Sequence, residues 1–386
     1  MVTQAQRASY PLYATYAWFG ILGLLALLGV YSFSREYLEG HYLTGLSDQT
    51  PWGLSVVGFV FFAGISAGAT VIGVLVYGFG RAGYRPLHAR ALLVALVSLA
   101  ASLLFILAHV GSIPRALLVP WVWGNPASMF MYTSLTYYAY GLLLLAGLYY
   151  AMRQARGPVG PRNARTGRFL AIGTAFFALV VFTGADAALF AVVKAREFWN
   201  NPLLPPHFVS VALVSGTAVM VLVAVATSWL NRQDTVGRET LAQMGVFLAF
   251  FIAATGFMDA LDLLIYAYSD EITAGEARHF LARDHLPISI LQVAGYVAAF
   301  AILVFPRGRT APWLTVASMA ALVGVAAYRY NLTTVGLEMQ LFPFQEHTHY
   351  APSLSEVSVT VGIAALAVLA YSLLVRIMPM KEKALP

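Results

Sequence analysis

The sequence predicts an all-α integral membrane protein of about ten transmembrane helices. They are read as two four-helix bundles (helices 2–5 and 6–9) flanked by one extra helix at each end. Three observations carry this reading. First, 60% of the residues are hydrophobic and only 10% charged, with a mean hydropathy of +0.73, whereas a soluble domain carries about 25% charged residues. Too few charges remain to solvate a globular surface, so lipid must cover most of it. Second, about ten segments are apolar over the roughly 20 residues that a bilayer crossing needs. Third, Lys and Arg fall unevenly on alternate loops.

The segments follow in order. Tyr13–Phe33 is apolar with no A-x-A cleavage site after it, and is read as a retained helix rather than a signal peptide. Trp52–Gly80 follows the polar stretch "SDQTPWGL", and its Gly64, Ser66, Ala67, Gly68 and Ala69 predict close helix packing. Leu87–Val110 ends in His109. Phe130–Met152 opens with aromatics, and Tyr132, Thr136 and Tyr140 recur at a four-residue spacing that makes one polar face. Phe169–Val193 carries Asp186, and Phe208–Leu230 follows "LPPHF". Leu241–Tyr268 carries Asp259 and Asp262. Leu286–Phe305 carries Gln292, Trp313–Tyr328 is short and Ala-rich, and Val357–Ile377 closes the set. The whole chain, 1–386, reads as a single polytopic domain. Within it 13–33 and 357–377 are the extra helices, and 52–193 and 208–328 the two bundles. "GISAGATVIGVLV" and "ALVSGTAVMVLVAV" each follow a polar outer loop, which suggests that the bundles are parallel repeats.

Sixteen of the 23 Lys and Arg lie in one set of alternate loops: Arg7, Arg81, Arg85, Arg90, Arg153, Arg156, Arg162, Arg165, Arg168, Arg232, Arg238, Arg307, Arg309, Arg376, Lys381 and Lys383. The other set holds seven: Arg35, Arg115, Lys194, Arg196, Arg278, Arg283 and Arg329. The positive-inside rule makes the first set cytoplasmic. Both termini are then expected inside, in a bacterial inner (cytoplasmic) membrane. The outer loops are the longer ones and hold most of the Trp, Pro, His and acids, so the working face is expected outside.

Composition also narrows the chemistry. The net charge of +6 reflects basic inner loops rather than a nucleic-acid patch. There are no cysteines, so iron–sulfur clusters and thiolate metal sites would have to belong to another chain. The eight His fall in loops or at helix ends, with His109 deepest, so no haem is expected. No P-loop is present.

An acid in lipid costs about 2.5–3.5 kcal/mol on insertion scales and is a functional candidate by default. Asp186 is expected roughly 10 Å below the outer end of its helix, and Asp259 and Asp262 at about 14 and 9 Å. Asp259 and Asp262, three residues apart, share a helix face. His109, Asp48, Gln49 and Trp52 lie at the outer boundary. The acids therefore describe a polar chamber opening outward rather than a path across the bilayer. Structural readings stand beside these. Asp186 can serve as a helix–helix hydrogen bond, Asp262 as a snorkelling residue, Asp48 as a helix N-cap, and His109 as an interface residue.

The chain resembles the NrfD/PsrC family, the quinone-reactive membrane subunits of polysulfide-reductase-like complexes, in its ten-span branch. The resemblance rests on "DQTPWGL" running into "FVFFAGISAGA", then "NPASMFMY", then "FTG" with "FWNNPLLPPHFVSVALVSG", in that order and spacing. It implies a respiratory oxidoreductase subunit that binds quinone or quinol (menaquinone or ubiquinone) near the outer face, without haem or iron–sulfur cluster of its own. Electrons would be exchanged with a docked ferredoxin-like iron–sulfur subunit, commonly serving a molybdopterin-type catalytic subunit. By motif position, Asp48, Gln49 and Trp52 match the family's outer entry. Smaller members carry a His on the second helix, and this chain has none between Trp52 and Gly80. The proton partner is therefore expected elsewhere: Asp186, His109 and Asp48 as acid–base groups, Gln49, Trp52, Tyr132 and Thr136 at the quinone. Trp121 and Trp123 would wall the site, and Asp259 and Asp262 would belong to a proton path. The rival readings are a secondary transporter using the buried Asp residues, or a structural anchor.

Overall fold

The computed structural model describes residues 12–118, 121–122, 124–156, 160–196, 198–231, 236–268, 280–339 and 348–378. Trp123, Arg7, Arg232, Arg278, Lys381 and Lys383 lie outside them. Among the described residues, ten helices are long and apolar enough to cross a membrane: α1 Tyr13–Glu39, α2 Leu54–Tyr77, α3 Ala82–Val110, α4 Met129–Arg156, α5 Arg162–Ala191, α6 Leu204–Trp229, α7 Arg238–Ile265, α8 Leu286–Val304, α9 Ala311–Glu338 and α10 Leu354–Ile377. No strand occurs among the described residues.

α2 and α6 are the most enclosed helices, and they touch backbone to backbone. A Cβ on Gly68 would meet the carbonyl of Ala212, and one on Gly216 would meet the backbone of Gly68 and Ala69. Small residues are what allow this approach, because interhelical packing in lipid rests on close contact rather than on hydrophobic exclusion. Around this axis α2 packs on α3, α3 on α4, α4 on α5 and α5 on α6. On the other side α6 packs on α7 and α9, and α8 pairs with α9. α1 and α10 pair with each other, Gly29 against Gly362, and α10 also rests on α3.

One end of the helices carries the long connections 40–53, 111–128, 192–203, 266–285 and 339–353. Side chains tie them together. Glu356 accepts from the Gly45 N–H at 2.7 Å, and Tyr350 accepts from the Leu54 N–H at 2.8 Å. Arg196 donates to the carbonyls of Leu337 and Met339 at 2.9 and 2.7 Å. This end is called the loop face, and the opposite end, with short connections, the turn face.

Three local features depart from expectation. α9 runs to Glu338, ten residues beyond its expected end at Tyr328. A hydropathy reading stops at Arg329 and Asn331, yet both are buried, at 1% and 4% exposure. Thr333 and Thr334 return their hydroxyls to the carbonyls of Arg329 and Tyr330, which satisfies them within the helix. Arg329 is thus a buried residue of the span and not a loop cation. Second, α5 contains a π-helical turn, Phe177–Phe182, just before Asp186. Third, α2 starts at Leu54, and its N-cap Gly53 makes no side-chain cap. Asp48 is exposed on the preceding loop and is not the N-cap. The tyrosine from the 339–353 connection takes one of the helix's free N–H groups instead.

Candidate functional site

Asp186 is the centre of the first site. It lies one turn beyond the π-helical segment of α5 and is 3% exposed. One carboxylate oxygen, Oδ2, accepts from the Tyr137 hydroxyl at 3.3 Å. Tyr137 also meets Ser102 at 3.3 Å, and Ser102 donates to the Phe59 carbonyl at 2.8 Å. The other oxygen, Oδ1, is buried with no hydrogen-bond partner among the described residues. A π-helical turn commonly marks a functional position, because its widened backbone re-aims the next side chains.

Beside Asp186, a groove of about 510 Å³ runs between α4 and α5. It is lined by Tyr132, Thr136 and Ala139 from α4 and by Phe177, Val181, Gly184 and Ala185 from α5, among others. Its volume falls within the range of small-molecule sites. Its walls are almost wholly apolar; Tyr132 and Thr136 are its hydroxyl-bearing residues, and the Thr136 hydroxyl donates to the Thr133 carbonyl at 2.7 Å. Asp186 stands next to the lining residue Ala185, whose carbonyl accepts from Thr133 at 3.3 Å. Tyr140 does not share this surface. It turns into the interior at 0% exposure and donates to the Ser66 carbonyl at 3.0 Å. The expected single polar face of Tyr132, Thr136 and Tyr140 is therefore split: two residues line the groove and one the core.

A second network occupies the α6–α9 half. Asp259 and Asp262 flank His207, with contacts of 3.3 Å to Nε2 and 3.5 Å to Nδ1. Nε2 is at ion-pair distance but off the hydrogen-bonding line. Tyr328 meets His207 Nδ1 at 3.3 Å, and Asn201 donates to Asp262 at 2.9 Å. Gln292 donates to Asp259 at 3.5 Å and accepts from Asn331 at 3.2 Å. The helix spacing of the two Asp, read in the sequence, holds; their shared histidine was not anticipated.

Arg329, the neighbour of Tyr328, lies against α6 at Phe208 and against α2 at Gly64. Its guanidinium stacks 3.9 Å over Phe208 and is in electrostatic range of Asp186. Nε and Nη1 have no hydrogen-bond partner among the described residues. A buried charge needs a counter-charge or a polar partner, and Asp186 is an acid within its electrostatic range.

A third cluster, also missed by sequence reasoning, lies at the loop face. Glu338, 2% exposed, meets His285 Nε2 at 2.9 Å and His349 Nδ1 at 3.3 Å, and accepts from the Tyr350 N–H at 3.0 Å. Tyr350 donates its hydroxyl to Glu356 at 2.6 Å. Burial and the Glu356 carboxylate push the Tyr350 phenol above its ordinary pKa. Burial alone pushes Arg196 down from its ordinary value. The readable signal was S-L-S-E at 353–356, a capping box in which Ser353 and Glu356 exchange hydrogen bonds.

The remaining expected residues sit as follows. Trp52 stacks on Trp199 at 5.1 Å and meets Phe190 edge-on at 5.4 Å. Gln49 is half-buried, with Oε1 lacking a hydrogen-bond partner among the described residues. His109 is half-buried at the end of α3, with Nδ1 likewise unpartnered among them. Trp121 is 64% exposed and leans on Tyr138. The helix-end position of His88 and His207 also misleads, because both rings are enclosed, at 4% and 1% exposure.

Fold and site together define a multi-pass membrane protein with a lateral groove whose lining residue Ala185 precedes the buried Asp186. Residues 42–340 match the family described as polysulphide reductase, NrfD, and the chain belongs to that family. It is similar to a selenate reductase subunit of Mesobacillus selenatarsenatis, at 26% identity over 92% of each chain. It is also similar to the Hdr-like menaquinol oxidoreductase integral membrane subunit of Archaeoglobus fulgidus, at 23% identity over 89% of this chain and 88% of that one. The chain is thus a relative of the membrane subunits of reductase and menaquinol oxidoreductase complexes.

Proposed function

We propose that this chain binds quinone or quinol in the α4–α5 groove and exchanges electrons with an iron–sulfur subunit docked on the loop face, taken as the outer, periplasmic side. The observation that carries this reading is the groove itself: an apolar slot with two hydroxyls, placed against the residue that precedes a buried carboxylate. A quinone head needs hydrogen-bond partners for its oxygens, and a nearby group that gives or takes protons as electrons move. The Tyr132 hydroxyl would supply the first, joined by Thr136 if its hydroxyl leaves the Thr133 carbonyl it donates to at 2.7 Å, and Asp186, held by Tyr137, would supply the second. General acid–base groups act by lying within hydrogen-bond reach of the proton they move, directly or through one water.

The similarity to a menaquinol oxidoreductase subunit supports the quinone reading. The selenate reductase relative supports a catalytic subunit outside this chain, which we take to be of molybdopterin type. The absence of cysteine leaves any cluster to the partner. Exposed Trp121 would anchor the docking surface, since Trp commonly anchors interfaces, whereas Trp199 is buried against Trp52 and not available to a partner.

The test is quinol turnover by the purified complex carrying Asp186→Asn. Loss of turnover with the complex intact is the expected result. Unchanged turnover and unchanged inhibitor sensitivity would remove Asp186 from the reaction. A chain that purifies alone, without an iron–sulfur partner, and moves a solute in liposomes would favour the transporter reading instead.

A further inference from the structure

The first site has a polar tail that leads away from it, toward the turn face. On α3, positions 88, 95, 102 and 109 fall one heptad apart and so return to one helix face about every 10 Å. On α4 the positions 133, 140, 147 and 154 do the same, and on α2 the positions 59, 66 and 73. The three series meet in layers. At the Asp186 layer, Ser102 joins the Phe59 carbonyl and Tyr137. One layer down, Ser66 donates to the Ala95 carbonyl at 2.6 Å and meets Tyr140 at 3.2 Å. The next holds His88, with Gly73 and Gly147 beside it, and Tyr77 donating to Gln154 at 3.0 Å.

Buried polar atoms without a hydrogen-bond partner among the described residues mark the same seam at both ends and between: His88 Nδ1, Thr174 Oγ1 and Asp186 Oδ1. Thr174 lies one turn along α5 from Ala171, which lines the small void next to His88. That void, about 10 Å³, is at the lower limit of what one water needs. Such orphaned atoms are ordinarily satisfied by water. His88 is within one helical turn of Arg85, where the α-helical part of α3 begins at the turn face.

We propose that a hydrated proton path runs along the α2–α3–α4–α5 seam, entering at His88 and ending at Asp186. Its use rests on the quinone reading. When Asp186 gives its proton to a quinone oxygen, the carboxylate left behind takes a proton that entered at His88. Two such transfers, with two electrons from the docked iron–sulfur partner, convert quinone to quinol, and oxidation runs the same steps in reverse. Protons would then cross most of the membrane to reach a site near the loop face. The acids alone, all in the outer half, describe a chamber open only outward; the path's other members are hydroxyls and an imidazole, which a count of acids passes over.

The test does not depend on quinone. In the purified full chain, brought to a pH at which Asp186 is protonated, the infrared carboxyl C=O band assigned by its loss in Asp186→Asn is followed after transfer to D₂O. Deuterium exchange is expected to slow at least about tenfold in His88→Leu and in Tyr140→Phe, and to stay within about threefold of wild type in His88→Gln, which keeps a polar group for water. Equal exchange in wild type, His88→Leu and Tyr140→Phe would overturn the path. If His88→Leu does not fold, Tyr140→Phe alone decides. Quinol turnover of the complex is read separately, so failure of the quinone reading leaves this result standing.

Discussion

At the residue scale the account turns on Asp186 and the groups that hold it. General acid–base groups contribute about 10²–10⁴ in rate, so Asp186→Asn is expected to lower quinol turnover at least about 100-fold in steady-state assays. Tyr137→Phe removes the one hydrogen bond that this carboxylate receives from the described residues. A hydrogen bond to a charged group contributes about 1.5–3 kcal/mol, so turnover should fall about 10- to 100-fold with complex assembly unchanged. Asp186 was legible because an acid within an apolar run has no cheap explanation. Arg329 was not, because Tyr328–Asn331 reads as the polar edge of a span; only the neighbours that enclose it reveal a buried cation. Its stacking over Phe208 uses the planar guanidinium. Lys does not reproduce that geometry, so Arg329→Lys should lower the melting temperature of the purified chain.

At the element scale, α2 and α6 cross backbone to backbone at Gly68 and Gly216. The small residues of "FAGISAGA" announced a close helix contact, but not its partner, since Gly216 sits in an apolar run with no sign of what it touches. Gly68→Val would drive a side chain into the backbone of α6. Over-packing costs about 1–3 kcal/mol in ordinary cores and more where backbone is met. The expected outcome is loss of the monodisperse peak in fluorescence-detected size exclusion. The loop-face latch makes a second prediction. Tyr350 holds its proton more tightly when folded than its ordinary value of 10.0 would allow. A group with a raised folded pKa contributes stability that is full below its unfolded pKa and lost as pH rises above it. Thermal stability should therefore decline above about pH 10, and more steeply in wild type than in Tyr350→Phe. The S-L-S-E capping box made Glu356 legible, but not Glu338, His349 and Tyr350, which lie within twelve residues of each other without a recognisable motif, nor His285, which joins them from 53 residues away.

At the scale of the whole molecule, ten apolar helices set two unlike faces apart. Composition and the spacing of apolar runs made this architecture readable, because lipid demands long helices and little else. The site was readable in part: the acids and the Tyr132/Thr136 pair stood out by type and spacing. The groove between α4 and α5 did not, because it depends on which helices become neighbours. The loop face is stitched by the side chains of Arg196, Glu338, Tyr350 and Glu356, which makes it a firm platform for a partner. The central claim is that the α4–α5 groove takes the quinone. Its most direct test is photolabelling of the native complex with a photoreactive quinone, followed by peptide mapping. The account predicts label within Met129–Ala139 and Phe177–Ala185, displaced by excess unlabelled quinol. Displaceable label confined to α7 and α8, with none in α4 or α5, would contradict it.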